Sequence, residues 1–307
     1  MLALVAAPGQ QANVELREVA EPAQLPDEAI VEVRAVSLNR GEVNRLRSAP
    51  QGWRPGWDVA GVVASRAADG SGPEEGRRVV GILREGGWCQ RVAVPTAQLA
   101  ELPVAVTFSE AACLPIAGIT ALRTLRLGGS LLGRRLLVFG ASGGVGMFAI
   151  QLAQLSGAQV TGVVSRPERV SEVEELNAAE VVVGTETLAS SSYHHVLESV
   201  GGDCLAEALR LVARSGSVVT FGNSSRQPTS FTVNDFYAKE ARLLGYLIFP
   251  DLERQPVGDD VSVLLEHIVA KRLEVKVSVE VDWSEAAEVI TSLQQRKFSR
   301  KAVLLVS

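Results

Sequence analysis

The chain has 307 residues, 47% of them hydrophobic and 21% charged, with 30 basic against 35 acidic side chains and a net charge of −5. At roughly 100–200 residues per domain this is about two domains, and the lack of a basic excess excludes a binder that works by broad phosphate neutralisation. Three cysteines and three histidines leave too few soft ligands for a cysteine-rich zinc module or a disulfide framework.

The opening MLALVAAPGQQ lacks the basic region of a secretory signal, and no apolar run approaches the roughly 20 residues of a membrane span. A cytosolic setting with reduced thiols is expected. The first third then alternates short Val- and Ala-rich runs with turn dipeptides. LALVAA, AIVEVRAVSL, VAGVVASRA, RRVVGIL and WCQRVAVP are punctuated by Pro8-Gly9, Pro55-Gly56, Asp69-Gly70 and Gly86-Gly87. Strands of that length with glycine-rich corners predict a small, partly open β-barrel. Helical spacing follows from Ser109, a capping residue, through Leu127.

From Arg134 the pattern becomes α/β. LLVFG is a continuous apolar run, as expected of a strand buried on both faces of a parallel sheet. A helix from Gly143 and the strands QVTGVV, EVVVG, HHVLESV, SVVTFG and RLLGYLIF follow. Repeated βαβ units predict a doubly wound parallel sheet, the Rossmann arrangement. From about Gly258 come a helix, the strand VKVSVEV, the helix WSEAAEVITSLQQ and a final strand AVLLVS.

Gly140-Ala-Ser142-Gly143-Gly144-Val145-Gly146 lies between the buried strand LLVFG and the next helix. That context suits a dinucleotide pyrophosphate: glycines admit the backbone closely, and the helix N-terminus offers free N–H groups and a positive dipole end. The alternative is a purely structural strand–helix corner. About twenty residues on, an acidic residue would bind the ribose 2′-hydroxyl of NAD. Ser165, Arg166 and Arg169 stand there instead. A hydroxyl and two guanidiniums can receive a 2′-phosphate, so NADPH is expected over NADH. The alternative is that both arginines are solvated surface residues.

The chain resembles the zinc-independent quinone oxidoreductases of the medium-chain dehydrogenase/reductase superfamily. The resemblance rests on Ser37-Leu-Asn39-Arg-Gly-Glu42, Pro55-Gly-Trp-Asp58-Val-Ala-Gly61 and Ala117-Gly-Ile-Thr120-Ala-Leu. GASGGVGMFAIQLAQLSGAQV, LESVGGDCLAEALRLVARSGSVVTFGNSS and RKFSRKAVLLV complete the set in the expected order. It implies a GroES-like catalytic domain from residues 1–115 and 258–307, interrupted by a Rossmann domain at 116–257. Zinc-dependent relatives carry a cysteine ligand, a Gly-His-Glu motif and a four-cysteine lobe. Here Asn39 lies in the first region, Trp57-Asp58 replaces His-Glu, and Cys89, Cys113 and Cys204 are far apart, so no metal is expected.

The implied chemistry is hydride transfer from NADPH to a quinone or an α,β-unsaturated carbonyl. The alternatives are an enoyl-thioester reductase and an NADPH-binding sensor or structural protein with little turnover. By resemblance Asn39 lies near the nicotinamide ribose and Thr120 near the nicotinamide; turn stabilisation and helix packing are their other readings. Phe221-Gly222-Asn223 ends SVVTFG at the carboxyl edge, where such sheets bind nucleotides. Leu247 and Phe249 end the next strand, either flanking the nicotinamide or as an ordinary apolar strand end. Asn39, Glu42 and Trp53 are the substrate-pocket candidates, with a structural role open for Glu42. No catalytic acid is identified: the three tyrosines lie outside the loop before Pro55-Gly56, and His194 and His195 read as surface or cap residues. ARLLGYLIF is expected at a sheet edge, which relatives pair across a homodimer. A small-molecule substrate, with no nucleic acid and no membrane, completes the expected partners.

Overall fold

A computed structural model describes residues 1–189 and 192–307. The chain divides into two compact units, Met1–Ile119 with Phe249–Ser307, and Thr120–Ile248.

The first unit begins with β1 (Leu2–Ala6), β2 (Val14–Glu18), β3 (Glu28–Ser37), β4 (Asp58–Ser65), β5 (Arg78–Ile82), β6 (Arg91–Pro95) and β7 (Leu99–Glu101). The second unit holds β8 (Arg135–Phe139), β9 (Gln159–Val164), β10 (Glu180–Val183), β11 (Tyr193–Glu198), β12 (Val212–Thr220) and β13 (Arg242–Gly245). The chain then returns to the first unit with β14 (Val277–Asp282) and β15 (Lys301–Leu305).

In the first unit the main sheet runs β14-β15-β3-β4-β5-β7, and β6 also pairs with β3. The ten residues of β3 share one edge between two antiparallel partners. Residues 28–32 pair with β6 and residues 35–37 with β15. Irregularities opposite β4 at Ile30/Val31 and Val33/Ala35 are the features that bend a strand and raise its twist. The sheet therefore curls around a core drawn from both chain ends, including Val31, Val36, Val63, Val79, Ile290 and Leu304.

The second unit is a six-stranded parallel sheet in the order β10-β9-β8-β11-β12-β13. Numbered within the unit this is 3-2-1-4-5-6, the doubly wound order with its switch point between β8 and β11. Leu137, Phe139, Val163, Val196, Leu209 and Val218 fill its core. Among the described residues no helix is long and apolar enough to cross a membrane.

Four local expectations change. The helix predicted from Ser109 runs Phe108–Ala112 and is capped by Thr107, whose hydroxyl accepts from Glu110 N while the Glu110 carboxylate accepts from Thr107 N. This reciprocal pair satisfies two end donors, which Ser109 cannot do. Pro115 has no N–H to continue the ladder, and residues Leu114–Gly118 form a wide π-helical turn before the helix resumes at Ile119–Arg126. The last strand of the second unit stops at Gly245. Leu247 lies beyond it and Phe249 belongs to the helix Ile248–Leu252, where Pro250 is tolerated in the first turn and would not be inside a sheet.

His195, expected at the surface, is buried. Its Nε2 lies 3.0 Å from the Thr124 carbonyl and its Nδ1 lies 2.7 Å from Ser217 Oγ. Because a carbonyl only accepts, Nε2 carries the proton and the Ser217 hydroxyl donates to Nδ1. The ring fits because Gly128 has no Cβ, which would lie 2.8 Å from His195 Cγ. His194 stays half-buried and accepts from Arg135 N.

Burial lowers the His195 pKa from 6.5 to about 4. The unfolded chain therefore binds more protons between those values, and stability is lost as pH falls through that window, by up to roughly 3 kcal/mol. Urea midpoints of the protein and of His195→Gln at pH 7 and pH 5 test this. The parent should lose more stability on acidification than the variant, and parallel losses would overturn the assignment.

Candidate active site

At the end of β8 the chain turns at Gly140, whose φ of 66° suits glycine, and enters the helix Gly144–Leu155. A Cβ on Gly146 would lie 2.6 Å from the carbonyl oxygens of both Gly140 and Ala141. The helix start is thus pressed directly onto the turn. Its cap residue is Gly143, with no side chain to occupy the free donors. The first intrahelical bond is Met147 N to Gly143 O, so the N–H groups of Gly144, Val145 and Gly146 precede the ladder. Ser142, Gly143, Gly144 and Val145 are half-buried. This bare, accessible helix start fits an anion such as a dinucleotide pyrophosphate.

The loop after β11 lies beside that turn, since a Cβ on Gly140 would come within 3.0 Å of Ser199 Oγ. Glu198 ends β11 and is fully buried. Its carboxylate accepts from the backbone N–H groups of Val200 and Gly201 and from Thr220 Oγ1, and burial raises its pKa. Glu198 therefore shapes the loop at the topological switch point. It was not singled out from the sequence, although an acidic residue ending an apolar strand was a usable signal.

Of the other predicted nucleotide residues, Ser165, Arg166, Arg169, Phe221, Gly222 and Asn223 follow the carboxyl ends of strands of the same sheet. Ser165 and Arg166 are exposed just after β9. Arg169 is mostly buried and paired with Glu172 at 3.1 Å, so its guanidinium is already engaged. Phe221, Gly222 and Asn223 follow β12, with Asn223 accepting from Arg226 N and Ser225 Oγ. Thr120 is buried in the helix Ile119–Arg126, and Leu247 is exposed.

The first unit contains a second constellation, buried and charged. Asn39 caps the helix Arg40–Arg45. Glu42 Oε1 accepts from Asn39 N and Nδ2 at 2.8 and 3.0 Å, and Oε2 accepts from Trp57 N at 2.9 Å. Asp58 Oδ2 accepts from Ser37 Oγ and from Asn39 Nδ2, and its Oδ1 accepts from Ile116 N at 2.8 Å. Lys301 Nζ donates to Leu38 O and Asn39 Oδ1 and lies 3.4 Å from Asp58 Oδ2. Ser37, Glu42 and Asp58 are wholly inaccessible. Burial first, and the Asp58 charge second, push Glu42 up to about 8, because two carboxylates without water resist double ionisation.

Of the pocket candidates, Asn39 and Glu42 meet in this cluster. Trp53 does not: its Nε1 donates to Glu85 at 2.8 Å, and Arg45 covers its ring at 4.5 Å. Phe249 belongs to this unit as well, packed edge-to-face on Trp57 with ring centroids 4.9 Å apart.

A curled sheet built from both chain ends, and a parallel sheet with an uncapped glycine turn at its switch point, define a dehydrogenase-type architecture. Residues 25–104 match the alcohol dehydrogenase GroES-like domain and residues 144–266 the zinc-binding dehydrogenase family. The rat synaptic vesicle membrane protein VAT-1 homolog is 32% identical over 226 residues, covering 68% of this chain and 55% of that protein. The chain thus spans little more than half the length of that relative. A Pseudomonas aeruginosa quinone oxidoreductase is 29% identical, covering 68% of each chain. The structure of a mycobacterial protein complexed with NADPH superposes with a TM-score of 0.88 at 21% identity, covering 99% of this chain and 100% of the other. The chain belongs to the medium-chain dehydrogenase/reductase superfamily, in its quinone-oxidoreductase-like branch.

The zinc in the second family's description does not fit these residues. Among the described residues no group of three or more His, Cys, Asp or Glu is placed to hold a metal ion. Asp58 already faces the Lys301 ammonium. Cys89 and Cys113 are buried thiols that donate to the carbonyls of Gly86 and Ser109.

Removing the Lys301 ammonium would leave the Asp58 carboxylate buried without its ion-pair partner. Lys301→Met should cost about 3–5 kcal/mol, read from urea unfolding at pH 7. A loss below about 1 kcal/mol would show that the pair does not hold the unit together.

Proposed function

We propose that this chain transfers a hydride from NADPH to a quinone or an α,β-unsaturated carbonyl, without zinc. The observation that carries the reading is the uncapped start of the helix Gly144–Leu155 at the switch point of the parallel sheet. Ser142, Gly143, Gly144 and Val145 would receive the pyrophosphate, and Ser165 with Arg166 the 2′-phosphate, Arg169 being held by Glu172. Phe221, Gly222, Asn223, Thr120 and Leu247 are assigned to the rest of the dinucleotide. Bound NADPH supplies the hydride.

Asn39 is the candidate substrate contact. Both Nδ2 hydrogens are engaged by Glu42 and Asp58, and Oδ1 accepts from Lys301, which fixes the amide. Hydride addition to a quinone or enone gives a delocalised oxyanion, which hydrogen bonds and solvent can stabilise. Reduction of an isolated ketone gives a localised alkoxide, which calls for a Lewis acid. The donor set described above therefore favours the activated acceptor, with the final proton taken from solvent.

β13 is an edge strand, and Leu243 on it, with Val233, Tyr237 and Leu247 nearby in sequence, is exposed. An unprotected apolar edge of this kind favours pairing with a second copy, and we assign a homodimer. Light scattering should give twice the chain mass, and Leu243→Lys should halve it. A concentration-independent monomer would remove this assignment.

NADPH oxidation should proceed with quinone and enone acceptors and should not require added zinc. Arg166→Ala should raise the KM for NADPH about tenfold while changing that for NADH less than twofold, in keeping with one lost charge-assisted contact. Tight NADPH binding without turnover on a broad acceptor panel would instead indicate a nucleotide-binding protein that is not a reductase.

A further inference from the structure

The four tryptophans of the chain are held in different ways. Trp283 and Trp88 are core residues at 2% and 0% exposure. Trp53 has its indole N–H engaged by Glu85 and its face by Arg45. Trp57 is different: the residue is only half-buried, yet its Nε1 is screened from water and has no hydrogen-bond partner among the described residues. Buried donors are nearly always satisfied, and an unsatisfied one calls for a reason. Trp88 Nε1 is unpartnered too, but Trp88 has no exposed surface that a ligand could approach.

The surroundings of Trp57 hold it stiffly. Its backbone N–H donates to Glu42 Oε2 at 2.9 Å, and its carbonyl accepts from Leu83 N at 2.8 Å. The outer ring of the indole rests on bare backbone at Gly41, where a Cβ would lie 2.4 Å from Cη2 and 2.8 Å from Cζ3. Phe249 stands edge-to-face at 4.9 Å, and its carbonyl accepts from Arg84 Nη2 at 3.0 Å. Glu42 binds both Asn39 and Trp57, so one buried carboxyl group sets the positions of both.

We propose that Trp57 is the wall of the acceptor site, and that its indole N–H donates a hydrogen bond to the substrate carbonyl oxygen as that oxygen gains negative charge. The inference rests on the reductase reading above. A planar acceptor would lie along the half-exposed indole, its carbonyl oxygen reaching Nε1 once the group covering that atom shifts. The N–H is then a donor kept dry and preoriented, with no protein partner to give up, which is the arrangement that stabilises a developing oxyanion most. Aromatic walls also suit planar rings. Hydride enters at the substrate's ring or β-carbon, the electron pair moves onto the carbonyl oxygen facing Trp57, and the balancing proton comes from solvent.

Trp57→Phe keeps an aromatic wall and deletes the donor. It should lower kcat/KM for duroquinone at least tenfold while leaving the KM for NADPH within twofold. Gly41→Ala should weaken the acceptor in the same direction by displacing the indole. Independently of turnover, titration with duroquinone without NADPH should quench tryptophan emission in the parent and lose most of that quenching in Trp57→Phe. An acceptor kcat/KM within twofold of the parent, or a larger loss from Trp53→Phe than from Trp57→Phe, would overturn the proposal. So would equal losses toward NADPH and acceptor, which would mark a structural role. A parent protein with no turnover on any acceptor would sink the reductase reading, while retained Trp57-dependent quenching would still support the acceptor site.

Discussion

The ammonium of Lys301 is held inside the protein by the Leu38 carbonyl, Asn39 Oδ1 and the Asp58 carboxylate, partners 263, 262 and 243 residues away in sequence. Desolvating a lysine and an aspartate costs several kcal/mol each, and only well-placed partners offset it. That requirement ties the end of the chain to its beginning: β15 must lie against β3 for Nζ to reach its three oxygens. The same carboxylate then uses its second oxygen on Ile116 N. It thereby holds the wide turn at Leu114–Gly118, immediately before the chain leaves for the second unit. The ion pair thus fixes at once the closure of the curled sheet, the orientation of Asn39 and the exit point of the chain.

How much of this was legible follows from the range of each interaction. The run LLVFG, the glycine turn and the following helix are local signals, and β8 and the helix Gly144–Leu155 appear where they place them. The cap of the helix near residue 108 was also local: Thr107 with Glu110 three residues later is a capping box, and reading Ser109 alone missed it. His195 was not legible. Its burial depends on a carbonyl at Thr124, a hydroxyl at Ser217 and the missing Cβ of Gly128, three partners that only the folded sheet assembles. At the candidate site Asn39 and Glu42 stood out as types in a motif. Asn39's partner Lys301 lay in the closing segment RKFSRKAVLLV, where no site role was read for it. Arg169, read as a phosphate ligand, pairs with Glu172 one turn away.

The two units handle charge in opposite ways. At the carboxyl edge of the parallel sheet the helix start is uncapped, and Ser165 and Arg166 are exposed. Glu198, which ends β11 at that edge, is turned inward onto Val200 N, Gly201 N and Thr220 Oγ1. In the first unit the charges of one cluster, Glu42, Asp58 and Lys301, are enclosed. Lys301 faces Asp58, and burial with the Asp58 charge pushes Glu42 up to about 8. The Lys301–Asp58 ion pair itself carries no net charge.

Neutrality has a consequence for chemistry. An enclosed cluster whose ammonium already balances its carboxylate offers little field to a localised alkoxide. On the proposed reading the acceptor must therefore spread its charge by resonance, as a quinone or enone does, and needs orientation more than a strong Lewis acid. Orientation is what a fixed amide and a rigid indole supply. Asn39 cannot rotate without breaking its bonds to Glu42, Asp58 and Lys301. Trp57 cannot tilt toward Gly41, because no space separates ring and backbone there. Preorganised donors need no rearrangement as charge develops, so rigidity here substitutes for charge.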